Sequence, residues 1–197
     1  MNPLDSLPLI SADVDAAEAA IADLLAALDV DEGEHTARTP RRVAEAWAHM
    51  LAGYAEDPRR HLEVTFPAPD DPGLVVVHGI RVASTCAHHM LPIAGVATVA
   101  YRPAPGQRVV GLSKLSRVVQ GYARRLQVQE QLTEQVAAAI HDVLAPDGVT
   151  VMVTATHDCM RLRGVEETAS ATTTVARRGL LDADDAAVVR DGHMSTI

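Results

Sequence analysis

Aromatic residues are scarce in this chain, with one Trp, one Phe and three Tyr making up 3% of 197 residues. A core without large rings has to be assembled from Val, Leu, Ile and Ala, and such a core often leans on subunit contacts to bury enough surface. Lysine is scarcer still: Lys114 stands alone and the other strong bases are all arginine. Positive charge is in deficit, 17 Lys and Arg against 26 Asp and Glu for a net charge of −9. That balance speaks against nucleic-acid and anionic-membrane partners, which need an extended basic face. No apolar run approaches the roughly 20 residues a membrane span requires, and no basic stretch leads into an apolar one at the start. The expectation is a cytoplasmic protein. Its two cysteines then make an improbable disulfide in a reducing compartment, and thiols placed beside histidines favour a metal instead.

The hydrophobic pattern divides the chain. Residues 1–13 have no period and read as a flexible tail, followed by an N-terminal helical region over 14–73. Within it Val14, Ala17, Ile21, Leu24, Leu25 and Leu28 form one helical stripe. Thr39, as N-cap, and Pro40, at the first helical position, open a second helix with Val43, Ala46, Trp47, Met50 and Leu51 on its apolar face. From Leu74 the period becomes that of strands. Residues 74–83 and 95–101 read as strands, 108–112 as a short third, and 149–156 as a half-buried strand, with 170–177 as the last. A long helical region from Ser113 to about Leu144 breaks near Leu126. The segment 182–197 reads as a mobile acidic tail. The order predicts an α+β fold with an antiparallel sheet, its catalytic domain spanning 74–181.

Two clusters carry chemistry. Ser84-Thr85-Cys86-Ala87-His88-His89 puts a thiol and two imidazoles within four residues, and His157-Asp158-Cys159 holds the other cysteine. Cys86, His89 and Cys159 make three Cys/His ligands with a fourth position left for water, the pattern of a catalytic rather than a structural zinc. The plain alternative is that both cysteines are small buried hydrophobes. His88 and His157, flanking the proposed ligands, are placed for proton transfer, whereas a lone histidine would read as structural. In Gly111-Leu112-Ser113-Lys114-Leu115-Ser116-Arg117, Ser113 reads as an N-cap and Lys114 and Arg117 share a face one turn apart. That combination suits an anion, phosphate in particular. Arg163 follows the second cluster and Arg42 opens the second helix; each is otherwise a surface arginine. Glu130, beside Gln129, is either a capping residue or a carboxylate for a substrate N–H edge.

These segments, together with Thr39-Pro40-Arg41-Arg42-Val43-Ala44, Gln127-Val128-Gln129-Glu130 and Arg163-Gly164, resemble the GTP cyclohydrolase I family in their order along the chain. The resemblance implies a tunnelling fold: an antiparallel sheet with helices on one face and a helical N-terminal extension. It implies a homodecamer of two pentameric rings with active sites at subunit interfaces. The implied reaction turns GTP and water into 7,8-dihydroneopterin triphosphate and formate by attack of zinc-activated water at C8, ring opening, deformylation, ribose rearrangement and reclosure. Cys86, His89 and Cys159 would hold Zn2+, and His88 and His157 would move protons. Ser113 would act at the ribose, Glu130 and Gln129 would read guanine, and Lys114, Arg117, Arg163 and a neighbouring subunit's Arg42 would grip the triphosphate. Two positions depart from the family. Ala87 replaces a glutamate between the cysteine and the histidine pair, and Leu126 replaces a proline at the helix break. The alternatives are a divergent paralogue with another purine nucleotide substrate or a ring-opened product, and a non-catalytic protein that binds zinc and GTP.

Overall fold

Val, Ile and Ala at every second position give β2 (Val75–Cys86), β3 (Pro92–Arg102) and β6 (Gly148–His157) one face each for a common core. In the computed structural model, which describes residues 12–30, 33–70 and 72–197, these strands are the centre of a five-stranded sheet ordered β5-β2-β3-β6-β7. β5 (Leu126–Gln127) and β7 (Thr172–Gly179) form its edges. All pairings are antiparallel except that of β5 with β2. A register shift between Val77 and Ile80 marks a bulge in β2, and Gly79 takes the left-handed φ of 65° there. A separate ribbon pairs β1 (Thr65–Pro67) with β4 (Arg108–Val110).

Helices α3 (Leu112–Ala123) and α4 (Gln129–Leu144) cover one face of the sheet. Leu115, Val118, Leu132, Val136 and Ile140 meet Val82, Val99, Tyr101, Val151 and Val153 there, all essentially inaccessible to solvent. This is the expected α+β architecture, and the break near Leu126 is present. The break is filled by β5, a strand too short to carry a period.

Several boundaries differ from the sequence reading. Helix α2 (Thr39–Met50) includes Thr39 and has Arg38 as its N-cap, with no side-chain cap; the Arg42 amide donates to Arg38 O instead. Likewise Gly111, not Ser113, is the N-cap of α3. Helix α1 (Val14–Ala27) packs on α2, yet of its stripe Ile21 is the one residue fully buried, with Leu24 and Leu28 exposed. The acidic segment from Asp182 is not a loose tail. It forms α6 (Ala183–Met194) against the opposite face of the sheet, where Val189 packs on Ala100 and Met152. Arg102 donates twice to Asp185, at 2.7 and 2.6 Å. β6 is therefore buried on both faces rather than half-buried. Most of the tail expected at 1–13 lies outside the described residues.

Candidate active site

The two chemical clusters meet because register brings their strand ends side by side. Thr85 pairs with Pro92 across β2 and β3, and Ile93 pairs with His157 across β3 and β6. Beyond Cys86 the chain turns sharply. The Cys86 amide donates to Leu91 O (2.8 Å), the Met90 amide to Cys86 O (2.9 Å), and Met90 adopts a left-handed φ of 56°. The Ala87 amide donates to Gln127 O at 2.9 Å, so β5 anchors the same turn. Ala87, His88 and His89 are thereby held on the surface while Cys86 is 4% exposed. On the other side, the single turn α5 (Asp158–Arg161) follows β6 directly and carries Cys159.

One ligand atom each from Cys86, His89 and Cys159 lies within 4.8 Å of the others. Ligand atoms around a tetrahedral zinc are roughly 3.4–3.8 Å apart, so small side-chain adjustments suffice to close on an ion. The chemistry of the donors fits as well. Burial and then the neighbouring Cys86 sulfur push the Cys159 thiol above its ordinary range. Two thiolates side by side are unfavourable until a cation shares them, and a bound divalent ion deprotonates its thiols outright.

Around the three donors stand the other candidates. His88 Nδ1 lies 4.0 Å from Cys86 Sγ, and its ring meets that of His89 edge-on, with centroids 6.2 Å apart. Arg163 donates from Nη1 to His89 Nε2 at 2.9 Å, so its guanidinium borders the cluster. His157 Nε2 contacts Gln129 Oε1 at 2.7 Å. Gln129 was expected at a guanine edge, but it is 2% exposed, and its amide nitrogen already faces Val153 O and Thr172 O at 2.9 Å each. Those two strand carbonyls hold its side chain in the interior. Glu130, next in sequence on the first turn of α4, is exposed, and Val128 rather than Glu130 caps the helix.

The expected phosphate residues lie elsewhere. Val110, just before α3, donates to Tyr101 Oη at 3.2 Å. Tyr101 is at the end of β3 that pairs with Val75 and Val149, opposite the cluster. Tyr101 is nine residue steps along β3 from Pro92, about 30 Å at strand rise. The length of α3 independently sets its start about 17 Å from the end that leads into β5. The start of α3, with Ser113 and Lys114, thus lies away from the same chain's metal donors, and Arg117 stands midway along the helix. Arg42 is exposed on α2, which packs mainly on α1.

The family model described as GTP cyclohydrolase I matches residues 17–195. The chain belongs to the GTP cyclohydrolase I family. Among its relatives, GTP cyclohydrolase 1 of Deinococcus radiodurans is 47% identical over 161 residues, covering 81% of this chain and 74% of that protein. The Mycobacteroides abscessus GTP cyclohydrolase 1 is 46% identical over 183 residues, 91% of this chain and 89% of the relative. That of Streptomyces griseus is 45% identical over 166 residues, 84% and 82% respectively. The match spans α6. Among the described residues no helix is long and apolar enough to cross a membrane. Sequence reasoning missed the carbonyls of Val153 and Thr172 and the hydroxyl of Thr174, which hold Gln129 in place. Backbone groups on two strands leave no residue-type signal.

Proposed function

We propose that this chain is a zinc-dependent GTP cyclohydrolase I, converting GTP and water to 7,8-dihydroneopterin triphosphate and formate. The observation that carries the reading is the convergence of Cys86, His89 and Cys159 beside two further imidazoles, His88 and His157. A structural metal site has no use for those imidazoles. Zinc, when bound there, supplies Lewis acidity that brings the pKa of a water toward neutrality. His88 and His157 move protons at the purine imidazole ring, where protonation of N7 makes C8 electrophilic. The Glu130 carboxylate, exposed at the cluster end, accepts from the guanine N1–H and 2-amino group and rejects adenine, whose N1 lone pair gives the carboxylate no hydrogen to accept.

Lys114, Arg117, Arg163 and Arg42 hold the triphosphate, and Ser113 serves the ribose. The separation of Lys114 from the metal donors of its own chain supports an active site shared between subunits. The exposed edge strand β7 and the uncovered Leu24 and Leu28 support assembly as well. The family's homodecamer of two pentameric rings, working in the cytoplasm, is the form we assign. Ala87, exposed in the ligand turn, favours a second reading in which reaction halts at a ring-opened formamidopyrimidine, because a carboxylate there would orient its neighbours.

The test is incubation of zinc-loaded protein with GTP, with formate and oxidised fluorescent pterin quantified together. Equal yields of both, abolished by chelation and restored by zinc, are expected. Formate without pterin, or a ring-opened product with neither, would support the second reading. Binding without consumption of GTP would refute both.

A further inference from the structure

The buried carboxamide of Gln129 sits in a network whose hydrogen positions can be deduced. Its nitrogen lies 2.9 Å from Val153 O and 2.9 Å from Thr172 O, two backbone carbonyls that only accept. Reversing the amide would set oxygen against both carbonyls with no hydrogen between them, so the orientation is dictated rather than chosen. The backbone side of the residue is equally constrained. Thr133 Oγ1 donates to Gln129 O at 2.8 Å, which uses its hydrogen. Thr174 Oγ1, 2.6 Å away, must therefore be the donor in that pair. Thr174 is then left only as an acceptor for the Gln129 nitrogen at 3.2 Å. Every donor in the cluster is accounted for.

Gln129 Oε1 is consequently an acceptor, and the group facing it at 2.7 Å is His157 Nε2. Two acceptors at that distance would repel, so Nε2 must carry a hydrogen. Nδ1 of the same ring has no hydrogen-bond partner among the described residues. We infer that Gln129 is a positioning residue that imposes the Nε2–H tautomer on His157 and so fixes the orientation of its ring for the proposed reaction. The catalytic half of this inference rests on the proposed cyclohydrolase reaction; the tautomer itself does not.

The consequence is a fixed ring: Nε2–H stays on Gln129 Oε1, and the Nδ1 lone pair is on the opposite side of the imidazole. Such control explains why a polar side chain is kept 2% exposed between α4, β6 and β7. It also separates the roles of adjacent residues: Gln129 acts through His157, and Glu130 on the base.

The experiment is solid-state 15N spectroscopy of zinc-loaded, histidine-labelled protein at about pH 8. Subtraction of the spectrum of His157→Asn assigns the His157 signals. The expected result is a protonated Nε2 and an unprotonated Nδ1. A hydrogen on Nδ1 would overturn the inference, and this readout requires neither turnover nor a Gln129 variant that folds. Kinetics of Gln129→Met then test the positioning role. We expect kcat for GTP to fall about 10- to 100-fold with KM unchanged, together with a mixed tautomer signal. A raised KM with kcat and tautomer unaltered would make Gln129 a base-reading residue and refute the role assigned to it. Should wild-type protein leave GTP untouched, the cyclohydrolase reading falls, while the spectrum still decides the tautomer.

Discussion

Acidification is expected to loosen α6 from the sheet through His193. The ring is fully buried, with Nδ1 2.9 Å from Thr98 Oγ1 and Nε2 2.8 Å from Thr154 Oγ1. A neutral imidazole satisfies both hydroxyls with one donor and one acceptor. Burial first, and then the nearby His78, lower the His193 pKa from its ordinary value of 6.5. The unfolded chain therefore takes up a proton as pH falls through 6.5, while the folded ring stays neutral. Stability is complete above that pH and declines below it, until the folded ring itself titrates. Over that window the loss is at most about 1.4 kcal/mol per pH unit. Between pH 7.5 and 5.5 it therefore amounts to at most about 1.4 kcal/mol, about three quarters of it below the unfolded pKa. The assay compares urea unfolding midpoints of wild type and His193→Gln at both pH values and equal protein concentration. Gln can face both hydroxyls but does not titrate, and His78, Asp185 and the remaining groups are common to the two proteins. Wild type should lose up to about 1.4 kcal/mol more than the variant on acidification. A difference below about 0.5 kcal/mol, the usual limit of additivity, would refute the reasoning.

Two further predictions follow from the sheet and the divided site. At Gly95, an added Cβ would stand 2.0 Å from Thr154 O and 2.6 Å from Ala155 Cβ. Gly95→Ala should thus cost about 3 kcal/mol or more, and a urea midpoint equivalent to less than about 1 kcal/mol of loss would contradict that close approach. Cys159→Ser and Lys114→Ala should each be inactive on GTP. Co-assembled in one oligomer, they should recover up to about a quarter of wild-type activity, the statistical share of sites made of two intact halves. Recovery of none would place both residues in a site within one chain.

What could be read from residue order alone was whatever depends on local spacing. The stripe of Leu132, Val136 and Ile140 reads as helix, and the alternation of Val149, Val151 and Val153 as strand, and all six are buried where those periods put them. Periodicity failed where packing rather than pattern decides. β5 is two residues long, too short to show a period. The segment after Asp182, acidic and weakly amphipathic, reads as a loose tail because its anchors are single residues. Asp185 needs Arg102, Val189 needs Met152, and His193 needs two threonines from different strands. The N-caps fell on Arg38 and Gly111, neither of which makes a side-chain cap, so residue type carried no signal for them.

The sequence by itself determined the donor set: Cys86 and His89 are three residues apart, and Cys159 is the one other thiol. It also determined the acidic balance and the lone lysine at a helix start. Only the tertiary structure decided that Cys159 meets the other two donors, because that depends on the register of β3 against both β2 and β6. It alone moved Gln129 from the substrate to His157, since carbonyls from two strands, invisible as residue types, claim its amide. It alone set the start of α3, with Lys114, at the far end of the sheet. Motif order carries no distance, and strands of fixed rise separate segments that follow one another along the chain.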